Sequence, residues 1–232
     1  SCKEVSATKS DRPKNDSFNI NKSEFAENNK MIVLCSNGLS SKALIEKMKE
    51  HIAGLSTAVI VVTADNEYKE RNYHIPRCRE ELAQLGLTTS VIDIDVESAE
   101  HLLNYDVIEF IGGNPFYLTD SIRKTQAEGI LRTVSKEKIL IGWSAAAFVF
   151  GPSLYLVNEY TPEMNMVEIK DLSGLQLTNA EVLPHYNRFT SRFAHFEERC
   201  AAYEKKYHTN VIRLNDGDGL FIEGKNQLLI RA

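Results

Sequence analysis

Five short runs of branched and apolar residues, separated by stretches long enough for a helix, constrain this chain more than any other feature. The runs are Met31–Cys35 and residues 58–63, 90–94, 107–111 and 139–141. Each is strand length and lacks strict polar alternation, so each reads as a strand covered on both faces of a sheet. Between them, residues 41–51 place Leu44, Ile45 and Met48 on one helical face. Residues 68–85 close at Gly86, and residues 116–134 follow Pro115, which suits a first helical turn. This alternation predicts an α/β fold, a mostly parallel sheet with helices on both faces. After Gly151 the rhythm changes. Residues 154–157, 174–183 and 211–214 read as strands, and 189–207 as an amphipathic helix with Phe193 and Phe196 turned inward. Gly219–Glu223 with residues 227–230 reads as a C-terminal β-hairpin.

Residues 1–30 are rich in Ser, Lys, Asn, Asp and Glu and carry little that could be buried, so they read as a flexible polar extension. Residues 31–232 then form a single α/β domain. Across 232 residues the net charge is −5 with no basic block, which argues against a nucleic-acid partner. No apolar run is long enough to span a bilayer. Cys2, Cys35, Cys78 and Cys200 are scattered without a Cys-x-x-Cys pair, as suits a reducing compartment. The expectation is a cytoplasmic monomer or homodimer. The alternative is a lipid anchor on Cys2, with the polar stretch as a tether. No metal or cofactor is expected. His-Glu-x-x-His and both glycine-rich phosphate signatures are missing from the sequence, and Asn215-Asp-Gly-Asp-Gly219 lacks EF-hand spacing and reads as a β-turn.

The run 139–141 breaks at Gly142 and resumes after Ser144 as a small-residue segment able to form a helix. A strand turning sharply into a helix with serine at the corner is the nucleophile-elbow layout, although Ala146 stands where that pattern has glycine. The corner exposes the Ser144 hydroxyl and directs the Ala145 N–H to where an oxyanion would form. Gly112-Gly-Asn-Pro115 also follows a strand, and the Gly113 N–H is the second candidate donor. Of six histidines, His185 alone ends an apolar strand, at Val182-Leu-Pro-His185, within reach of another strand end. A histidine base needs a carboxylate on its far nitrogen. Glu159 lies between Ser144 and His185, giving the order serine, acid, histidine, with Glu163, Glu168 and Asp171 as competitors.

Phe110-Ile-Gly-Gly-Asn114, Ile141-Gly-Trp-Ser-Ala145 and Pro184-His-Tyr186 together resemble the peptidase E, or alpha-aspartyl dipeptidase, family from about Met31 to Gly224. The resemblance implies a flavodoxin-like sheet, related to class I glutamine amidotransferases. It also implies a serine exopeptidase that cleaves dipeptides with N-terminal Asp through an acyl-enzyme. It makes Ser144 the nucleophile, His185 the base, Glu159 the acid and Gly113 with Ala145 the oxyanion donors. Asn114, Arg188 and Arg192 are the expected substrate-binding residues, the two arginines standing four apart to hold an acidic side chain. The alternatives are a non-catalytic relative that binds a small peptide or amino acid, and a cyanophycinase-like peptidase.

Overall fold

In a computed structural model, which describes Ile20 and residues 22–232, the five apolar runs form one sheet. Strand β1 (Met31–Cys35) leads to helix α1 (Lys42–Lys49), then β2 (Thr57–Val61), α2 (Ile75–Gln84), β3 (Thr88–Ile92) and β4 (Val107–Phe110). Helices α3 (Pro115–Lys124) and α4 (Glu128–Glu137) precede β5 (Ile139–Trp143) and α5 (Ala145–Val149). Then come α6 (Tyr155–Tyr160), β6 (Glu181–Leu183), α7 (Tyr186–Arg192), α8 (Phe196–Tyr207), β7 (Val211–Arg213), β8 (Gly219–Glu223) and β9 (Asn226–Ile230). The sheet order is β3-β2-β4-β5-β1-β8-β9. The first five strands are parallel, and the hairpin β8–β9 adds to β1 antiparallel. Strands β2 to β5 follow the flavodoxin order, and β1 occupies the place beside β5. Strands β6 and β7 pair in parallel as a separate two-stranded sheet.

Alternate residues of each central strand serve opposite faces. Ile32, Leu34, Val59, Val61, Ile108, Phe110 and Leu140 pack with α3, α4 and α5. Met31, Val33, Ala58, Ile60, Val107, Ile139 and Ile141 pack with α1 and α2. A third cluster joins α6, α8, β6 and β7 through Leu156, Tyr160, Leu183, Phe196, Tyr203 and Val211. No helix among the described residues is long and apolar enough to cross a membrane.

Six sequence expectations are corrected. Residues 155–157 lie in a helix rather than a strand, with Leu154 as its N-cap, because Leu156, Val157 and Tyr160 share one buried face; a four-residue apolar run has too little period to discriminate. Within 174–183 only Glu181–Leu183 is strand. Residues 116–134 split at Gln126 (φ 57°) and 189–207 split at His195 (φ 54°), left-handed positions with neither Gly nor Pro to announce them. The segment 68–85 helicises as α2 only from Ile75, since Pro76 disfavours helix before it and suits a first turn. Residues 23–30 are not a free extension. Ala26 is buried, Lys30 N–H donates to the Ser135 carbonyl, and Arg132 and Lys136 lie over the Phe25 ring. Cys2, with the rest of residues 1–19 and 21 and the flexibility and anchor expected there, falls outside the described residues.

One core residue breaks the apolar rule. Glu109, on β4, is fully buried on the α2 face, and its oxygens find no partner beyond the Cys78 thiol. Burial, reinforced by nearby Glu81, pushes its carboxyl up to about 8. The folded state therefore holds a proton there that the unfolded chain has released above its ordinary value of 4.5. Stability should fall as pH rises through the window from 4.5 to about 8, by on the order of 5 kcal/mol for this group alone. Glu109→Gln is expected to remove that loss. Urea midpoints of both forms at pH 5 and pH 9 check it, and parallel pH dependences would refute the assignment.

Candidate active site

The strand register gathers the loops that carry chemistry. Cys35 pairs with Trp143 and Phe110 with Gly142, so Ser36, Ser144 and Gly112 emerge side by side at the carboxyl ends of β1, β5 and β4. Leu183 pairs with Arg213, so His185 and Asp216 leave β6 and β7 as neighbours. Working groups in open parallel sheets collect at this edge.

Ser144 takes a strained corner conformation (φ 54°, ψ −113°), and its N–H donates to the Cys35 carbonyl at 3.2 Å. The tight turn needs Gly142, where a Cβ would meet the Phe150 ring at 2.4 Å. Ala146 sits within α5 at ordinary helical φ. His185 is left-handed (φ 58°, ψ 27°) at the start of α7. Its N–H is held by Ser36 Oγ at 2.8 Å.

Ser144 Oγ lies 2.8 Å from His185 Nε2, and His185 Nδ1 lies 2.7 Å from Asp216 Oδ1. The Ser36 hydroxyl, fully buried, donates to the same Asp216 oxygen at 2.7 Å. Arg188 Nε meets the other oxygen at 2.7 Å. Burial alone would raise the Asp216 carboxyl. The hydrogen bonds from Ser36 and His185 and the Arg188 charge outweigh it, so Asp216 is held below the usual carboxylate range. Burial lowers the His185 imidazole, with Arg188 adding to the effect, against an upward pull from Asp216. A neutral ring is therefore favoured, with its proton on Nδ1 toward Asp216 and the lone pair of Nε2 free to accept from Ser144.

The carboxylate beside the histidine is a correction. Glu159 sits exposed on α6, where its backbone carbonyl accepts from Arg199 at 2.7 Å. Glu163, Glu168 and Asp171 are exposed as well. Asp216 belongs to the Asn215–Gly219 stretch that the sequence presents as a β-turn. The signal available was an Asp-Gly pair directly after a strand end, but nothing local says which strand lies beside β7. Ser36 could be placed from sequence at the carboxyl end of the first apolar run, but nothing there gave it a role.

Gly113 (φ 146°) lies against the chain after β2, where a Cβ would come within 2.2 Å of the Ala64 carbonyl oxygen. No acceptor in the described chain takes its N–H. The Ala145 N–H, at the first position of α5, has no intrahelical acceptor either. Asn114, expected at the substrate, is corrected to a structural role. Its Oδ1 caps α3 by accepting from the N–H groups of Phe116 and Tyr117, and its Nδ2 donates to the Met164 carbonyl. Arg188 and Arg192 share α7, but they do not form a free fork. Arg188 is engaged by Asp216, while the Arg192 guanidinium lies over the rings of Phe189 and Phe193. A cavity of about 300 Å³ opens beside Ser144, walled by Phe148, Val157, Met164 and Phe189 and bordered by both arginines. The described residues contain no cluster of three or more His, Cys, Asp or Glu able to hold a metal ion.

Residues 31–230 match the model of peptidase family S51. The chain belongs to that family. An uncharacterised peptidase of Listeria monocytogenes is 25% identical over 193 residues, covering 81% of this chain and 92% of its own. The peptidase E of Nostoc is 27% identical over 163 residues, 68% of this chain and 66% of that one. Two solved structures share the fold. A candidate peptidase E from Listeria monocytogenes superposes with a TM-score of 0.72 at 24% identity, over 88% of this chain and 99% of that one. A peptidase from an acI-B1 actinobacterium gives 0.66 at 18%, over 88% of each. As an S51 chain it carries the Gly-Trp-Ser corner at the end of β5, where the Ser144 hydroxyl lies within hydrogen-bond reach of His185 Nε2.

Proposed function

We propose that this S51 peptidase is a serine exopeptidase acting on small peptides, dipeptides with N-terminal Asp foremost, with Ser144, His185 and Asp216 as its triad. The observation that carries the reading is the continuous hydrogen-bonded chain from Ser144 Oγ through both imidazole nitrogens to Asp216, opening onto a cavity. His185 takes the Ser144 proton as Oγ attacks the scissile carbonyl. The N–H groups of Gly113 and Ala145 stabilise the oxyanion, and Asp216 stabilises the imidazolium. His185 then protonates the departing amine, leaving an acyl-enzyme on Ser144, and activates the water that hydrolyses it. Stoichiometric labelling of Ser144 by a fluorophosphonate, together with hydrolysis of a dipeptide panel, tests this directly. Absence of both would overturn it.

Preference for Asp needs a cation at the cavity. Arg188 is neutralised by Asp216, which leaves Arg192 at the rim as the binding group for a side-chain carboxylate. The kcat/KM ratio for Asp-Leu over Asn-Leu is expected to shrink by roughly 10- to 100-fold in Arg192→Ala, the scale of a charge-assisted hydrogen bond. An unchanged ratio would place the recognising cation elsewhere.

A further inference from the structure

Two cavities meet at Ser144, and they differ in charge. The one walled by Phe148 and Phe189 is bordered by Arg188 and Arg192 and by no carboxylate. The second, about 370 Å³, lies on the side of β2 and includes Asp65, Tyr68, Tyr73, His74 and Asp216 in its wall. Its cations are already accounted for. Arg188 is bound to Asp216, and burial together with the charges of Arg77 and Arg188 pushes the His74 imidazole down, toward its neutral form. Asp65 makes no ion pair with any described residue, whereas Asp216 holds Arg188 at 2.7 Å.

The position of Asp65 is as specific as its charge. A Cβ on Gly113 would lie 2.7 Å from Asp65 N, and one on Gly112 would lie 2.9 Å from Ser144 Cβ. The acidic residue and the nucleophile therefore flank the same two-glycine bend. Oδ1 of Asp65 accepts from the N–H groups of Glu67 and Tyr68, and Oδ2 accepts from Asn72 Nδ2 at 2.8 Å. A carboxylate offers about four acceptor sites, so Oδ2 retains capacity for one more donor. Tyr68 and Tyr73, 51% and 81% exposed, bring ring faces that favour a cation to the rim.

We infer that this second cavity is the subsite for the free α-ammonium group of the substrate, with Asp65 as its anchoring carboxylate. In a peptide whose first carbonyl is attacked, that ammonium is only one carbon removed from the reacting centre. A carboxylate one glycine bend from the nucleophile is placed to hold it. The residue acylating Ser144 is then the N-terminal one, and a blocked or internal amide is rejected because it desolvates the Asp65 carboxylate without bringing a cation to it. The inference rests on the peptidase reading for its meaning, but not for its test.

Calorimetry on Ser144→Ala protein needs no turnover. Asp-Leu is expected to bind roughly 10- to 100-fold more tightly than N-acetyl-Asp-Leu, and adding Asp65→Asn should bring the two within about threefold. Asparagine keeps an Oδ1 acceptor for the Glu67 and Tyr68 amides, and fluorophosphonate labelling of the Asp65→Asn single variant checks that the site stays assembled. Equal affinity for free and acetylated peptide, or no binding of either, overturns the amine subsite. A preference that survives Asp65→Asn in a normally labelled protein does so too, and reduces Asp65 to a loop-building residue. A parent protein that binds with this preference but hydrolyses nothing would instead overturn the peptidase reading alone.

Discussion

Ser144→Ala is expected to abolish hydrolysis, lowering kcat by about 10⁶-fold, the scale seen when a triad nucleophile is removed. The effect is large because, in the proposed mechanism, everything else at the site acts through that oxygen. His185 Nε2 has no other described partner to deprotonate, and the N–H groups of Gly113 and Ala145 stabilise charge only after a bond to the carbonyl has formed. Removing one hydroxyl at a corner already stabilised by the β1 contact should leave the urea midpoint nearly unchanged. Purified Ser144→Ala protein with parental turnover would show that the nucleophile lies elsewhere.

The second large effect is expected at Asp216. In Asp216→Asn the amide keeps the size but can donate to His185 Nδ1, which favours the tautomer with its proton on Nε2, facing Ser144. A fall of about 10⁴-fold in kcat at neutral pH follows, with KM little changed. Glu159→Gln, on the exposed face of α6, should leave both constants unaltered. The pH profile carries a second signature. Burial, aided by Arg188, holds the parent His185 below its ordinary value of 6.5 against the pull of Asp216, so the acid limb of kcat/KM should lie below pH 6.5. Without the Asp216 charge that limb should move lower still. A large loss in Glu159→Gln with normal turnover in Asp216→Asn would reverse the assignment.

These two residues also mark how far the sequence could be read. The elbow at Ser144 was legible because its signal is local: a branched strand, Gly142 at the tight approach and small residues beginning a helix. His185 was legible at the end of an apolar strand, and Gly112-Gly113 as a bend between β4 and α3. The central strands and the terminal hairpin were legible for the same reason, as burial on both faces writes itself into consecutive residues.

Asp216 was not legible, because its partnership depends on which strands are neighbours. Strands β6 and β7 are three residues each and separated by two helices, and only their parallel pairing, Leu183 with Arg213, sets His185 beside Asp216. Ser36 depends in the same way on β1 lying next to β5, an arrangement that reverses chain order across the sheet. Asn114 illustrates the opposite error. Its motif was visible, but whether its amide faced substrate or capped α3 was settled by the free N–H groups of that helix. The sequence by itself determined the layered α/β fold and marked the serine corner and the strand-end histidine as candidates, since periodicity and turn chemistry act over a few residues. The tertiary structure decided which carboxylate lies beside His185, which buried serine holds it and the charge of each cavity, since these follow from register between strands far apart in the chain.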